Sequence, residues 1–294
     1  MVAGLLRDCE VPPMSADPVS SNIPRSELQV GTLTSGGSAD LSFLRAGQGR
    51  PVLLLHGFAS DAAEDWVETG WFDALVNAGH DVVAPDLRGH GCSVKSRDPA
   101  DYRLDAFATD VAALRGHCWG ALRFSVIGYS MGAHVAMSLA LISVDRVERL
   151  ILGGMGDRIA RTVGLGPEFA DALDVPDDDP LAAFPPYAVR FRRHAASRPS
   201  NDLGVLAACL CGQSGRFDLG RLAAVTAPTL VIAGEQDRLA GDPYPVAALF
   251  ATGIGATVPD VNHASALAAW KFRERAVMHL QHDFAMITAS VRST

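Results

Sequence analysis

The stretch Gly128-Tyr129-Ser130-Met131-Gly132 limits the fold more than any other part of the chain. Upstream, Arg123 to Ile127 is a short, partly β-branched apolar run and reads as a strand. Downstream, Met131 to Ile142 is rich in Ala, Met and Leu and reads as a helix. The pentapeptide is therefore a sharp strand-to-helix turn with a serine at its tip. So tight a turn strains the serine backbone, and side chains at 128 and 132 would collide with the crossing chain, hence the two glycines. The hydroxyl then stands clear of the sheet, facing the positive end of the helix dipole. Ser130 is the candidate nucleophile.

The rest of the chain supplies the sheet. Glu27 to Thr34 and Asp40 to Arg45 alternate around Ser35-Gly36-Gly37-Ser38 and predict an antiparallel edge hairpin. Pro51 to Leu55 is continuously apolar, as a strand covered on both faces must be, and ends in His56-Gly57-Phe58. A helix is expected from about Glu64 to Ala78, with Trp66, Trp71, Phe72 and Leu75 as core. His80 to Ala84 is a strand running into the glycine-rich and charged loop Pro85 to Ser93, and Leu104 to His117 is a helix. Further strands are read at Arg149 to Leu152, Thr229 to Ala233 and Ala256 to Val258, and a last amphipathic helix from Ser265 to about Phe284. Strands alternating with helices give an α/β fold, a mostly parallel central β-sheet with helices on both faces.

Two segments stand apart. Residues 1–25 carry prolines and serines with few apolar anchors and read as a flexible tail. Between Met155 and Gly220 the strand rhythm stops, and prolines punctuate short helical pieces around the acidic turn Asp177-Asp178-Asp179. The expected organisation is a core of 26–154 and 221–294 with a helical cap inserted at 155–220.

Formal net charge is -8, which disfavours nucleic acid as a partner, since phosphate binding needs a basic face. No apolar run has transmembrane length, and Met1 to Cys9 is a poor signal peptide. The five cysteines, at 9, 92, 118, 209 and 211, match no zinc spacing and read as free thiols of a reducing compartment, so a cytoplasmic location is expected. No phosphate-binding loop or His-Glu-x-x-His motif is present, and a cofactor-free reaction on a small molecule is the simplest expectation.

The order of these motifs resembles the α/β-hydrolase superfamily, in its cap-bearing serine branch, from residue 27 to the final helix. The resemblance rests on His56-Gly57-Phe58, Asp86 to Ser93, Gly128 to Gly132, Gly234-Glu235-Gln236-Asp237 and Asn262-His263. It implies a nucleophile Ser130, an acid Asp237 and a base His263, in that chain order. His263 would take the serine proton and return it to the leaving group, while Asp237 fixes the imidazole tautomer. Asp157, after the preceding strand, is the rival for the acid. The oxyanion donors would be the backbone N–H groups of Met131 and Phe58. Asp86 matches a loop-ordering position, and His56, His90 and His134 read as structural. Asp105 and Asp110 read as helix-surface charges, and Phe184, Pro185, Pro186, Tyr187 and Phe191 as possible pocket lining in the cap.

The resulting expectation is a serine hydrolase acting on a small carboxylic ester. A carbon–carbon bond hydrolase, lactonase or thioesterase on the same fold is the alternative, as is a ligand-binding protein that keeps the triad. Epoxide hydrolases and haloalkane dehalogenases fit less well, because those relatives carry an aspartate where Ser130 stands.

Overall fold

The computed structural model describes residues 27–34, 40–176, 181–213 and 215–281. The expected tail 1–25, the hairpin loop 35–38 and the acidic turn 177–179 lie outside the described residues. Eight strands form one sheet: β1 Gln29–Leu33, β2 Leu41–Gly47, β3 Arg50–Leu55, β4 His80–Pro85, β5 Phe124–Tyr129, β6 Val147–Gly153, and, further along the chain, β9 Thr229–Gly234 and β10 Gly253–Val258. Their spatial order is β1-β2-β4-β3-β5-β6-β9-β10. The pairs β1–β2 and β2–β4 are antiparallel and all others are parallel. The hairpin thus forms the antiparallel edge, as expected. The central strands are buried along most of their length, which is why they read as continuous apolar runs rather than alternating ones.

Helices cover both faces. α1 Trp71–Asn77, α2 Leu104–Trp119 and α3 Met131–Ile142 precede the insertion, while α7 Tyr244–Ala247 and α8 Trp270–Gln281 follow it. One core cluster gathers α2 and α3 with Leu53, Leu55 and Val126; the other gathers Trp66, Trp71, Phe272 and Leu280 with Val52, Leu54 and Ile127. Alternate residues of the same strands therefore feed opposite clusters, as the two-residue period of a strand requires.

The single helix expected over 64–78 is broken. Ala63–Glu68 winds as a π-helical turn, Gly70 takes a left-handed φ of 77°, and α1 starts afresh at Trp71. Packing explains the break. In one straight α-helix Trp66 and Trp71 would point about 140° apart. The interruption lets both rings enter the same core, fully buried and edge to face at 5.4 Å. The final helix begins at Trp270, five residues later than expected; a separate turn, in which Asn262 Oδ1 accepts from the N–H groups of Ala264 and Ser265, precedes it. Its expected end near Phe284 lies outside the described residues.

Between β6 and β9 the chain forms α4 Pro167–Asp174, α5 Pro186–Ala196 and α6 Leu203–Gly212, bracketed by two short strands, β7 Thr162–Val163 and β8 Gly215–Arg216. These strands pair antiparallel and were not expected from the sequence. Cys118 and Cys209 are free thiols, but Cys92 is disulfide-bonded, so the expectation of five free thiols fails there, and with it part of the case for a reducing compartment. No helix among the described residues is long and apolar enough to cross a membrane.

The Trp71 indole also donates to Leu267 O at 2.9 Å. Trp71→Ala should therefore lower unfolding stability by about 3–5 kcal/mol, read as a shifted urea midpoint with an unchanged m-value.

Candidate active site

Loops meet at the carboxyl ends of the parallel strands, where an open α/β sheet presents its crevice. Ser130 is the tip of the β5–α3 turn, with φ 52° and ψ -110°. A Cβ on Gly128 would lie 2.2 Å from Gly132 O, and one on Gly132 would lie 2.0 Å from Leu55 O. Both glycines are thus required by close backbone crossings. The Ser130 N–H donates to Gly153 O at 2.9 Å, which holds the strained residue against the neighbouring strand.

His263 Nε2 lies 3.0 Å from Ser130 Oγ, and its Nδ1 lies 2.8 Å from Asp237 Oδ2. Asp237 is buried, and its other oxygen accepts from the N–H groups of Leu239 at 3.1 Å and Ala240 at 2.8 Å. An ionised carboxylate only accepts, so the Nδ1 facing it carries the proton and Nε2 is left as an acceptor for the serine hydroxyl. This hydrogen-bonded chain can take a proton from Ser130 and hold the resulting imidazolium beside a carboxylate. The rival Asp157 is engaged elsewhere: its Oδ1 accepts from Asp242 N–H at 2.9 Å.

Tyr129 and Gly154 adjoin His263. Tyr129 donates its hydroxyl to His263 O, and the two rings lie 5.3 Å apart. Gly154, with φ 57°, leaves room beneath; a Cβ there would come 3.0 Å from His263 Cε1.

His56 organises the loop that carries Phe58. Its Nε2 accepts from Leu87 N–H at 2.9 Å, so Nδ1 bears the proton and donates to Gly57 O at 2.7 Å. In a trans peptide the C=O and N–H point opposite ways, so the Phe58 N–H faces away from the His56 ring. Asp65 Oδ2 accepts the Gly57 N–H at 2.7 Å, and its Oδ1 accepts the Ser60 hydroxyl at 2.6 Å. Burial pushes the Asp65 carboxyl above the usual range. Asp86 ties this loop to the next, accepting from Ala62 N–H at 2.9 Å and Cys92 N–H at 2.8 Å. The structural expectation for Asp86 and His56 therefore matches the geometry. Asp110 differs from expectation: it is buried and forms a two-pronged ion pair with Arg88 at 2.6 and 2.8 Å, anchoring the loop after β4. Asp105 is exposed, as expected.

Ser130, Met131, Phe58 and His263 line a cavity of about 410 Å³. Its walls are mainly apolar, with Phe169, Phe191 and Leu210 contributed by the segment between β6 and β9. Of the five cap residues expected here, Phe191 lines it; Phe184, Pro185, Pro186 and Tyr187 do not, and Tyr187 instead packs on Phe169 at the surface. Met131 is the first residue of α3, where a backbone N–H has no intrahelical acceptor. No cluster of three or more metal-ligating side chains occurs among the described residues.

Sequence reasoning missed Asp65, Gly154 and Tyr129. Nothing in the spacing of Asp65 signals its contact with Gly57. The second glycine of Gly153-Gly154 was the available signal for the space under the imidazole.

The fold and these crossings define an α/β protein with a strained serine between a central strand and its helix. The chain belongs to the alpha/beta hydrolase fold family, whose sequence profile matches residues 50–249. It is similar to a soluble epoxide hydrolase from Corynebacterium sp. (strain C12), 37% identical over 114 residues, 38% of this chain and 37% of that protein. The chain spans about a third of the length of the curated relatives it matches. Among solved structures it is similar to a hydrolase from Pseudomonas aeruginosa PA01, with TM-score 0.67 and 25% identity over 86% of this chain and 98% of that one. A thermophilic esterase from Thermogutta terrifontis gives TM-score 0.65 and 25% identity over 90% and 98%.

His134, in the first turn of α3, also lines the cavity; its Nε2 lies 3.1 Å from Ile159 O. Burial lowers its pKa to about 4 from an ordinary 6.5. The unfolded chain therefore binds more protons at this residue between those values, and the group costs stability as pH falls from 6.5 towards 4. His134→Gln removes that cost, so the variant's stability relative to wild type should rise by up to about 3 kcal/mol across the window, measured by urea unfolding at stepped pH.

Proposed function

We propose that the protein is a serine hydrolase that cleaves a small carboxylic ester through an acyl-enzyme intermediate. The observation that carries this reading is the continuous chain Ser130–His263–Asp237, with distances of 3.0 and 2.8 Å. His263 accepts the Ser130 proton as Oγ attacks the carbonyl carbon, then delivers it to the departing alcohol. Asp237 holds the tautomer and stabilises the imidazolium. The N–H groups of Met131 and Phe58 receive the developing oxyanion. Water then enters by the same route and releases the acid.

The nucleophile's identity supports an acyl substrate. A serine alkoxide opening an epoxide would leave an alkyl ether, which this machinery has no means to hydrolyse, whereas an acyl ester turns over. In this reading residues 155–220 form a helical cap over the core of 26–154 and 221–294, and the cap's Phe169, Phe191 and Leu210 select the acyl or alcohol group by apolar contact. No cofactor is required, since each step is a proton transfer or an addition to a carbonyl.

Steady-state hydrolysis of chromogenic esters of increasing acyl length tests the reading. Turnover should be lost by on the order of a millionfold in Ser130→Ala. Asp237→Asn should cost on the order of ten-thousandfold, and Asp157→Asn little. A Ser130→Ala variant that keeps most of the wild-type rate would sink the assignment, and activity confined to lactones, thioesters or vinylogous diketones would move it to those substrates.

A further inference from the structure

The loop that carries Phe58 is held partly from outside the sheet domain. Ala59 follows Phe58, is fully buried, and has a φ of 60°. A left-handed backbone is unfavourable for alanine and persists where surrounding contacts over-determine it. One such contact comes from the connection between α5 and α6. Asn201 Nδ2 donates to Ala59 O at 3.0 Å and to Ala195 O, at the end of α5, also at 3.0 Å. Two carbonyls facing one atom identify it as the nitrogen of the amide. Asn201 Oδ1 is buried with no partner among the described residues, so this amide is held by its donor end.

Neighbouring contacts seat the same connection. Phe191 stacks on the Phe58 ring at 5.7 Å. Arg198 pairs with Glu64, and Ser200 Oγ lies 3.4 Å from Asp61 Oδ2. Arg97 pairs with Asp202 at 2.9 Å.

We propose that Asn201 is a positioning residue for the oxyanion loop, so that the Phe58 N–H reaches donor geometry when residues 191–202 are seated on residues 58–64. This rests on the reading of Phe58 as an oxyanion donor. Lifting the connection to admit substrate frees Ala59 from its left-handed conformation and turns the donor out of place; reseating it over bound substrate restores both. Cover and donor are thereby coupled through one side-chain amide, and covalent chemistry is confined to the covered state.

Asn201→Ala and Asn201→Asp test this against wild type, by ester hydrolysis and by hydrogen exchange of the full-length protein without substrate. Asp has nearly the shape of Asn but presents only acceptors to two carbonyls. The expected result is a fall in kcat on the order of a hundredfold with KM changed only a few-fold. Asp should be at least as damaging as Ala, and amides of residues 58–62 should exchange faster in both variants while β5 stays protected. An Asn201→Asp variant with wild-type kcat overturns the proposal, as does unchanged exchange at 58–62, because a residue acting by shape alone would tolerate Asp. Labelling of Ser130 by a fluorophosphonate separates the two readings. An unlabelled wild type removes the hydrolase assignment, while the exchange comparison still decides whether Asn201 holds the loop.

Discussion

The site depends on one close backbone crossing. Gly132 at the start of α3 passes so near the end of β3 that a single added carbon would meet Leu55 O at 2.0 Å. That approach presses the helix N-terminus against the sheet and forces the intervening serine to a φ of 52°. Because β3 also leads directly into His56-Gly57-Phe58, the same crossing sets where Ser130 stands relative to the Phe58 loop. The strain is sustained by elements that are otherwise fully satisfied: β5 is paired on both sides, and the Ser130 N–H is bonded to Gly153 O.

Around that point, rigid and adjustable parts are segregated. His56 and Asp65 grip the two peptide groups flanking Gly57 from the core side, and Asp237 is gripped by two backbone donors of its own turn. The walls of the cavity facing the reacting atoms are instead drawn from helices inserted between β6 and β9, where aromatic contacts dominate over polar ones. Directional bonds thus orient the polar groups, and nondirectional packing shapes the space for a substrate.

Much of this was legible in the sequence because it is written in short-range pattern. The β5–α3 turn, the edge hairpin and the buried central strands each follow from residues within a few positions of one another. Ser130, His263 and Asp237 were legible through their order at strand ends, and the structure brings their side chains together. What was not legible depends on tertiary packing. The break at Gly70 exists because two tryptophans five residues apart share one core, and a helical period counted from sequence cannot register that. Asp110 looked like a surface charge because its partner Arg88 lies in a loop 22 residues away. Asp65 and Asn201 each bond a backbone group outside their own turn, and Gly154 makes room for a ring 109 positions further on; neither kind of contact leaves a periodic trace.

The β7–β8 pair has a consequence for how such a chain can change. Thr162 lies opposite Arg216 and Val163 opposite Gly215, so the segment between them leaves and returns at a single clasp. The entropic cost of closing a loop rises only slowly with its length. The connections between Val163 and Gly215 can therefore be lengthened or shortened while the sheet and its serine turn stay registered, provided the Asn201 bond to Ala59 O is kept. Diversification of what the site accepts then runs through this segment, within the limit set by that one retained bond.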